Sequence, residues 1–344
     1  MVMMINFNLL IFLSLMMLSI LIGINSTSML FFWMSIEINM MSFVPIILFL
    51  NSYYNDSPMK YFLIQSVSSS LMLFFSLFSY MNMFTMIIMI MMIMTIIMKL
   101  GGMPFSYWYL NMLINMSWIN CLFLMTSQKI LPFYIFNNFI KYMMFLNTNK
   151  LIYFIYLLTI MNSMISISII YYSNSIKLLM GLSSLNQLSW LLFNLMLNLK
   201  IWLMYFLIYL LTLTNLIYIL NHFKINFLNE LYIIYSNNFL LKVFFFIFMM
   251  LMMSLPPLMG FFLKSFSMLI LSKFNLFNYM YILMILSIIM FFFYMKLFLP
   301  SMTWFNFSLI NNMNLFVKNI YMLKFLMSSM MLMIISLFYW FMNY

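Results

Sequence analysis

Long apolar runs follow one another along almost the whole chain, and only short polar stretches separate them. Runs of about 18 or more apolar residues recur, and each is long enough to cross a bilayer as a helix. We therefore predict an all-α polytopic membrane protein that forms a single transmembrane domain over 1–344. The pattern predicts eleven spans, at about 3–24, 28–50, 59–80, 83–112, 116–140, 151–172, 176–198, 201–220, 239–271, 276–299 and 320–342.

Helix-breaking residues interrupt the fourth, fifth and ninth of these spans. They are Gly101, Gly102 and Pro104, then Pro132, then Pro256, Pro257 and Gly260. Broken helices are tolerated in a membrane only where protein or a water-filled cavity supplies partners for the freed backbone groups. Interrupted helices in corresponding places of two halves indicate a transport site near the middle of the membrane. The breaks in spans four and nine thus favour two inverted five-helix repeats, about 1–145 and 146–300, followed by a C-terminal helix at about 320–342.

Composition supports this assignment and narrows the possible source. The chain is 68% hydrophobic and 5% charged, whereas a soluble domain is about 25% charged. It contains no alanine and no arginine, while methionine occurs 48 times. Residues with GC-rich codons are thus scarce and residues with AT-rich codons abundant, a pattern that suggests a strongly AT-biased, organellar genome.

The net charge of +11 comes mainly from lysines that are scattered singly between apolar runs. Such lysines are typical of interfacial anchors, so we do not expect nucleic acid binding. Seven of them follow even-numbered spans and four follow odd-numbered spans. The more basic side faces the compartment where a membrane protein is made. We therefore expect the N-terminus on that side, which is the matrix side in a mitochondrion.

The single acidic residue within a predicted span is Glu37, near the middle of the second helix. Ionisable residues at this depth are costly, and they are functional candidates by default. The alternative is a structural ion pair that holds helices together, but buried charge contributes little to stability. Lys99 lies directly before the break at Gly101 and is the natural partner for Glu37. The two groups could exchange one proton by coupled titration.

Two further lysines lie within predicted spans and near helix-breaking prolines. Lys129 follows Gln128 and precedes Pro132, and Lys264 follows Gly260. Each alone could be a lysine that snorkels to the interface, but their shared position beside breaks favours a proton-relay role. Small polar residues in the third, seventh and eighth helices either join helices or hold waters between the charged sites.

The chain lacks the residues that bind metals or redox cofactors. The chain has one cysteine, Cys121, and one histidine, His222. One cysteine excludes a disulfide framework and favours a structural thiol, and one histidine cannot supply the ligands of a haem or copper centre. No glycine-rich or paired-cysteine motif indicates nucleotide, flavin or iron–sulfur binding. We expect no cofactor and no metal in this chain.

These residues carry a resemblance to a known family. The motifs are Ser35-Ile36-Glu37-Ile38-Asn39-Met40, Lys60-Tyr61-Phe62-Leu63-Ile64-Gln65-Ser66, Met98-Lys99-Leu100-Gly101 with Pro104-Phe105 and Trp108, Gln128-Lys129 with Pro132, and Leu255-Pro256-Pro257 with Gly260-Phe261 and Lys264. Over nearly its whole length the chain resembles the chain 2 family of mitochondrial NADH:ubiquinone oxidoreductase, an antiporter-like membrane-arm subunit of respiratory complex I.

The resemblance implies a set of functional expectations. Glu37, Lys99, Lys129 and Lys264 would belong to the charged axis of the membrane arm, and the chain would relay protons without a redox centre of its own. NAD, FMN, iron–sulfur clusters and ubiquinone would lie in other subunits. The partners would be other membrane-arm subunits and lipids such as cardiolipin, in an obligate hetero-oligomer of the mitochondrial inner membrane. The family often has histidine where Ser106 and Asn186 stand, so a bound water would substitute there.

Two other functions fit the pattern of spans. One is a free-standing cation/proton antiporter with the same broken helices, and the other is a structural membrane subunit that does not conduct protons. The organelle-like composition argues against the first, because so biased a genome usually retains only core respiratory chains. The position of Lys99 beside its helix break argues against the second.

Overall fold

The computed structural model describes residues 2–50, 56–80, 85–145, 149–231, 239–255, 258–273, 277–303, 324 and 326–332. Helices dominate these residues, and no strand occurs among them. Their bounds are α1 Val2–Asn25, α2 Met29–Leu50, α3 Ser57–Tyr80, α4 Thr85–Leu100, α5 Ser106–Asn115, α6 Trp118–Met125, α7 Ser127–Phe145, α8 Asn149–Ile170, α9 Ile176–Leu197, α10 Leu199–Phe223, α11 Phe239–Met253, α12 Met259–Lys273 and α13 Phe277–Thr303, with a short 3₁₀ helix at Leu228–Leu231.

Seven helical stretches in the described part of the chain are long and apolar enough to cross a membrane. They are Phe7–Asn25, Met29–Leu50, Ser57–Ser79, Trp118–Tyr142, Lys150–Ile170, Leu199–Phe223 and Phe277–Met295. The segments Met86–Leu100, Leu241–Met253 and Met259–Ser272 are apolar but shorter, because breaks divide the spans they belong to. The membrane-protein class is thus confirmed, while the count of eleven spans and the inverted repeats stay predictions.

The predicted break at Gly101 and Pro104 is confirmed, since α4 ends at Leu100 and α5 begins at Ser106. The ninth span is also divided, between Met253 and Met259. Pro256 and Pro257, which predicted that division, lie outside the described residues, and Gly260 lies in the first turn of α12. Of the predicted C-terminal helix, residues 324 and 326–332 are described, and they are helical.

The predicted break near Pro132 is wrong in its position. Pro132 lies inside α7, and the chain departs from helical geometry at Thr126 instead (φ −119°, ψ −81°). A proline clashes with the carbonyl four residues before it, which here belongs to Gln128 in the first turn of α7. The disruption therefore falls at the start of α7, where the N–H of Lys129 bonds to the carbonyl of Thr126 at 3.1 Å in a tighter turn.

The chain forms two compact units, which are residues 1–162 and 163–344. In the first unit, α2 packs against α1 and α3, while α4 packs against α3 and α7. In the second unit, α9 packs against α10 and α12. Every residue of α9 from Leu179 to Met196 is buried. Both units therefore place polar side chains in a protein interior instead of facing them toward lipid.

Candidate functional site

The turn after α4 places Lys99 at the end of a helix that stops abruptly. The N–H of Gly102 bonds to the carbonyl of Ile97 at 3.0 Å, and the N–H of Gly101 bonds to the carbonyl of Met98 at 3.3 Å. This pair of bonds is a Schellman motif, in which the residue after the cap adopts the left-handed conformation. Gly101 takes that place with φ of +71°. Gly101 thus ends α4 at Leu100, one residue after Lys99.

Two side chains bond to backbone groups at the break. The indole N–H of Trp108 donates to the carbonyl of Met98 at 3.1 Å, and the N–H of Met103 donates to Asn162 Oδ1 at 2.6 Å. Asn162 is fully buried and comes from α8. Unsatisfied backbone groups cost several kcal/mol in an apolar interior. Trp108 and Asn162 therefore stabilise the interrupted geometry beside Lys99.

Lys99 itself is buried and contacts α3 through Gln65. Its ammonium Nζ lies 3.4 Å from the backbone carbonyl of Gln65, whose side-chain Nε2 donates back to the carbonyl of Lys99 at 3.3 Å. The side chain of Lys99 is 6% exposed, so the cation is held almost entirely inside protein. Lys99 therefore has its hydrogen-bond partner on α3, the helix that also contacts Glu37.

Glu37 is half-buried on α2, and its carboxylate accepts a hydrogen bond from the hydroxyl of Ser69 on α3. Ser69 lies one helical turn after Gln65, so the two side chains share one face of α3. Gln65 contacts the cation and Ser69 contacts the anion. One face of α3 therefore carries the hydrogen-bond partners of both charged groups.

The same face of α3 continues to Tyr61, one turn before Gln65. The hydroxyl of Tyr61 donates to Gln128 Oε1 at 2.9 Å, and Gln128 Nε2 donates to Asn39 Oδ1 at 3.2 Å. Tyr61 and Asn39 are both buried. We call Tyr61, Gln65 and Ser69 the α3 stripe. It connects, through side-chain hydrogen bonds, α3 with α2 and with the start of α7.

Lys129 follows Gln128 on α7 and is one of the most deeply buried side chains of the described chain, at 2% exposure. Its ammonium Nζ lies 5.1 Å from the centroid of the Tyr109 ring, within the range of a cation–π contact. Tyr109 also packs on the turn after α4, since a Cβ added to Gly101 would lie 2.6 Å from the Cβ of Tyr109. The break beside Lys99 thus positions the ring that contacts Lys129.

The second unit holds Lys264, which is 3% exposed on α12. Its ammonium Nζ lies 5.0 Å from the centroid of the Trp190 ring. Trp190 is fully buried on α9. Lys264 and Lys129 therefore each contact an aromatic ring.

A small cavity lies next to the division between α11 and α12. It has a volume of about 20 Å³, and its lining includes Gln187, Tyr205, Thr212, Ser254 and Gly260. Gln187 Nε2 donates to the carbonyl of Met252 at 2.9 Å, and Gln187 Oε1 accepts from the hydroxyl of Tyr205. A polar cavity of this size holds about one water molecule. The polar residues of α9 and α10 thus meet at the second break.

The positions at which the resembled family often has histidine are both buried here. The hydroxyl of Ser106 lies 3.0 Å from the sulfur of Met103, in the turn between α4 and α5. Asn186 is 5% exposed on α9. Among the described residues, no group of three or more histidine, cysteine, aspartate or glutamate side chains could hold a metal ion.

The sequence identified the charged residues but missed several of their partners. Tyr109, Asn162 and Trp190 carry no motif of their own, because a single aromatic or amide residue in an apolar run looks like core packing. The α3 stripe had a usable signal, namely polar residues that recur every four positions at 61, 65 and 69. The relay roles of Glu37, Lys99, Lys129 and Lys264 stay predictions.

Comparison with known proteins assigns the chain to a family. The family described as NADH:quinone oxidoreductase/Mrp antiporter, TM matches residues 26–291. The chain is 31% identical over 299 residues to NADH-ubiquinone oxidoreductase chain 2 of Anopheles gambiae, covering 83% of this chain and 84% of the relative. It is 34% identical over 285 residues to the protein of the same name from Aedes aegypti, covering 80% and 81%.

Solved structures share the fold at much lower identity. A chain of respiratory complex I from Thermus thermophilus with bound aureothin matches with a TM-score of 0.78 and 15% identity, covering 96% of this chain and 78% of that chain. A chain of the Mrp complex from a Dietzia species matches with a TM-score of 0.72 and 11% identity, covering 87% and 60%. The antiporter-like membrane fold is therefore common to both.

Proposed function

Because the chain belongs to the family of NADH:quinone oxidoreductase and Mrp antiporter membrane subunits, we propose that it is the antiporter-like chain 2 subunit of respiratory complex I. Its part in NADH:ubiquinone oxidoreduction is to relay protons through buried glutamate and lysine side chains. Electron transfer, with NAD, FMN, iron–sulfur clusters and ubiquinone, belongs to other subunits. The chain works in the mitochondrial inner membrane, with its N-terminus on the matrix side and other membrane-arm subunits and lipids as neighbours.

One observation carries the relay role: Glu37 and Lys99 have their hydrogen-bond partners one turn apart on the same face of α3, and Lys99 lies next to a helix break. A carboxylate and an ammonium group that lie near each other stabilise each other's charge, so the protonation of one affects that of the other. When Glu37 takes up a proton, Lys99 loses its countercharge in a low-dielectric site and gives up its own proton more readily. The pair can therefore pass a proton on.

The remaining buried lysines extend the proposed route. Lys129 and Lys264 each lie against an aromatic ring. A ring stabilises a cation through its electron-rich face but does not accept its proton. We propose that both lysines alternate between charged and neutral forms. Ordered waters beside each break would carry protons to and from the lysine of that unit.

A free-standing antiporter is the second candidate, because the Mrp complex shares the fold. The subunit of complex I is favoured, since the chain matches two relatives named NADH-ubiquinone oxidoreductase chain 2 at 31% and 34% identity, over most of their length. The two functions make different predictions. A subunit of complex I translocates protons only during NADH oxidation in the assembled complex, whereas a free-standing antiporter exchanges cations without it.

The test replaces Lys99 with methionine, which keeps the apolar stem and removes the charge. The matched control is Lys60→Met on α3, since Lys60 is exposed. We expect the assembled Lys99→Met complex to lose most of its proton translocation per NADH oxidised, while the control retains it. Proton translocation at the wild-type level in Lys99→Met would contradict the relay. Loss of assembly in both Lys99→Met and Lys99→Ala would favour a structural subunit.

A further inference from the structure

Ser69 makes a contact with a charged group that its neighbouring serines on α3 do not make. The hydroxyl groups of Ser66, Ser68 and Ser70 each donate to the carbonyl three residues earlier in α3, at 3.0, 2.8 and 3.0 Å. The hydroxyl of Ser69 makes the same kind of contact, with the carbonyl of Ser66 at 2.9 Å, and it also contacts the carboxylate of Glu37. Ser69 is fully buried.

A hydroxyl group has one proton to donate and can also accept. The hydroxyl of Ser69 therefore donates either to the Glu37 carboxylate or to the Ser66 carbonyl, but not fully to both. A charged carboxylate only accepts hydrogen bonds, whereas a protonated carboxyl also donates one. Both forms of Glu37 can thus be satisfied from the same place, provided that the Ser69 hydroxyl turns when the charge changes.

We propose that Ser69 is a positioning residue for the proton relay, a two-position hydroxyl that gives Glu37 a hydrogen-bond partner in both its charged and its neutral form. While Glu37 is charged, Ser69 donates to it. When Glu37 is protonated, its O–H donates to Ser69 Oγ, and the Ser69 proton turns to the carbonyl of Ser66. No proton is transferred by Ser69 in this exchange. The inference rests on the proposed role of Glu37.

The surroundings make such a partner necessary. Glu37 is half-buried near the middle of an apolar helix, so the partners of its carboxyl group must come largely from the protein. Its cationic neighbour Lys99 has Gln65 as its own hydrogen-bond partner, and Gln65 lies one turn before Ser69 on the α3 stripe. The stripe therefore supplies separate partners to the anion and to the cation. A charge change at Glu37 then leaves the contacts of Lys99 in place.

The test compares Ser69→Ala and Ser69→Thr in the assembled complex, reconstituted in proteoliposomes. Threonine keeps the hydroxyl and can bond to a helix carbonyl, so it should restore what alanine removes. Ser76→Ala is the matched control, because Ser76 is also buried on α3 and bonds to the carbonyl of Leu73 at 2.7 Å. We expect Ser69→Ala to slow proton translocation at least about tenfold, as for a lost hydrogen bond to a charged group.

An infrared difference spectrum separates this role from simple packing. The carboxyl band of protonated Glu37 is assigned by its absence in Glu37→Gln. We expect this band to move to higher wavenumber in Ser69→Ala and to return in Ser69→Thr, while it stays unchanged in Ser76→Ala. An unmoved band in Ser69→Ala would overturn the proposal, whether or not translocation falls. Normal translocation in Ser69→Ala would overturn it as well.

The two proposals can fail separately. If Glu37→Gln translocates protons like the wild type, the relay role of Glu37 is wrong, but the band shift in Ser69→Ala still measures the hydrogen bond itself. If Glu37→Gln abolishes translocation and Ser69→Ala does not reduce it, the relay role holds and the positioning role of Ser69 is wrong.

Discussion

Replacing Gly101 with alanine should destabilise the turn that ends α4. Gly101 has φ of +71°, and an L-residue in this left-handed region costs about 1–2 kcal/mol. The new methyl group would also lie 2.6 Å from the Cβ and 2.8 Å from the Cγ of Tyr109. These atoms lie next to the backbone and cannot rotate away, and overpacking of this kind costs about 1–3 kcal/mol. Together the two effects predict a loss of about 2–5 kcal/mol.

The neighbouring glycine provides the matched control. A Cβ added to Gly102 would lie 3.0 Å from Ile97 Cγ2 and 3.3 Å from Asn162 Oδ1, and both atoms are at or near the ends of side chains that can adjust. Gly102 also lacks a positive φ angle in the structure. We therefore expect Gly102→Ala to cost about 1 kcal/mol or less, near the low end of overpacking costs.

Thermal unfolding of the assembled complex and its yield in membranes measure both variants. We expect Gly101→Ala to lower the transition temperature and the yield clearly, and Gly102→Ala to lower them slightly. Proton translocation by the Gly101→Ala complexes that do assemble should also fall, because a displaced Tyr109 ring no longer contacts Lys129. Equal stability of wild type and Gly101→Ala, or a larger loss in Gly102→Ala, would refute the reasoning from the left-handed turn.

Two further predictions concern buried partners of the site. Trp190→Leu removes the aromatic ring beside Lys264 and should destabilise the complex by more than the about 0.5–2 kcal/mol of the cation–π contact, because it also leaves a cavity at a fully buried site. Trp190→Phe, which keeps a ring, should lose less, and equal thermal stability of both variants would contradict a cation–π contact. Asn162→Leu leaves the N–H of Met103 without its acceptor and should cost about 1–3 kcal/mol, whereas Asn162→Ser keeps a neutral acceptor oxygen and should cost less. Thermal unfolding measures this pair too, and an equal or greater loss in Asn162→Ser would contradict the role of the acceptor.

The break after Lys99 could be predicted from sequence because its cause is local. Glycine and proline change the conformations available to a few adjacent residues, and no distant contact is needed to see it. Pro132 shows the limit of this reasoning. A proline can stay inside a helix when the carbonyl it disturbs belongs to the first turn, and the helix start at Ser127 is set by contacts that the residue pattern does not contain.

The hydrogen-bond partners of the charged residues were harder to predict. The polar cluster in the third helix was evident, but its serines are equivalent in sequence, and only the rotation of α3 against α2 selects Ser69. Asn162 lies 59 residues from the N–H that it accepts, and nothing near either residue indicates the other. Contacts of this kind depend on helix packing, which a single sequence does not specify.

The buried helix α9 has a consequence for how the chain enters the membrane. Because of its interior polar residues, α9 is not among the seven stretches that are long and apolar enough to cross a membrane. In the folded protein, neighbouring helices enclose it. One residue, Asn198, separates it from α10, and its side chain accepts a hydrogen bond from the N–H of Lys200 at 3.1 Å. We therefore expect α9 to partition into lipid only as a hairpin with the more apolar α10, so that biogenesis delivers the two helices as one unit.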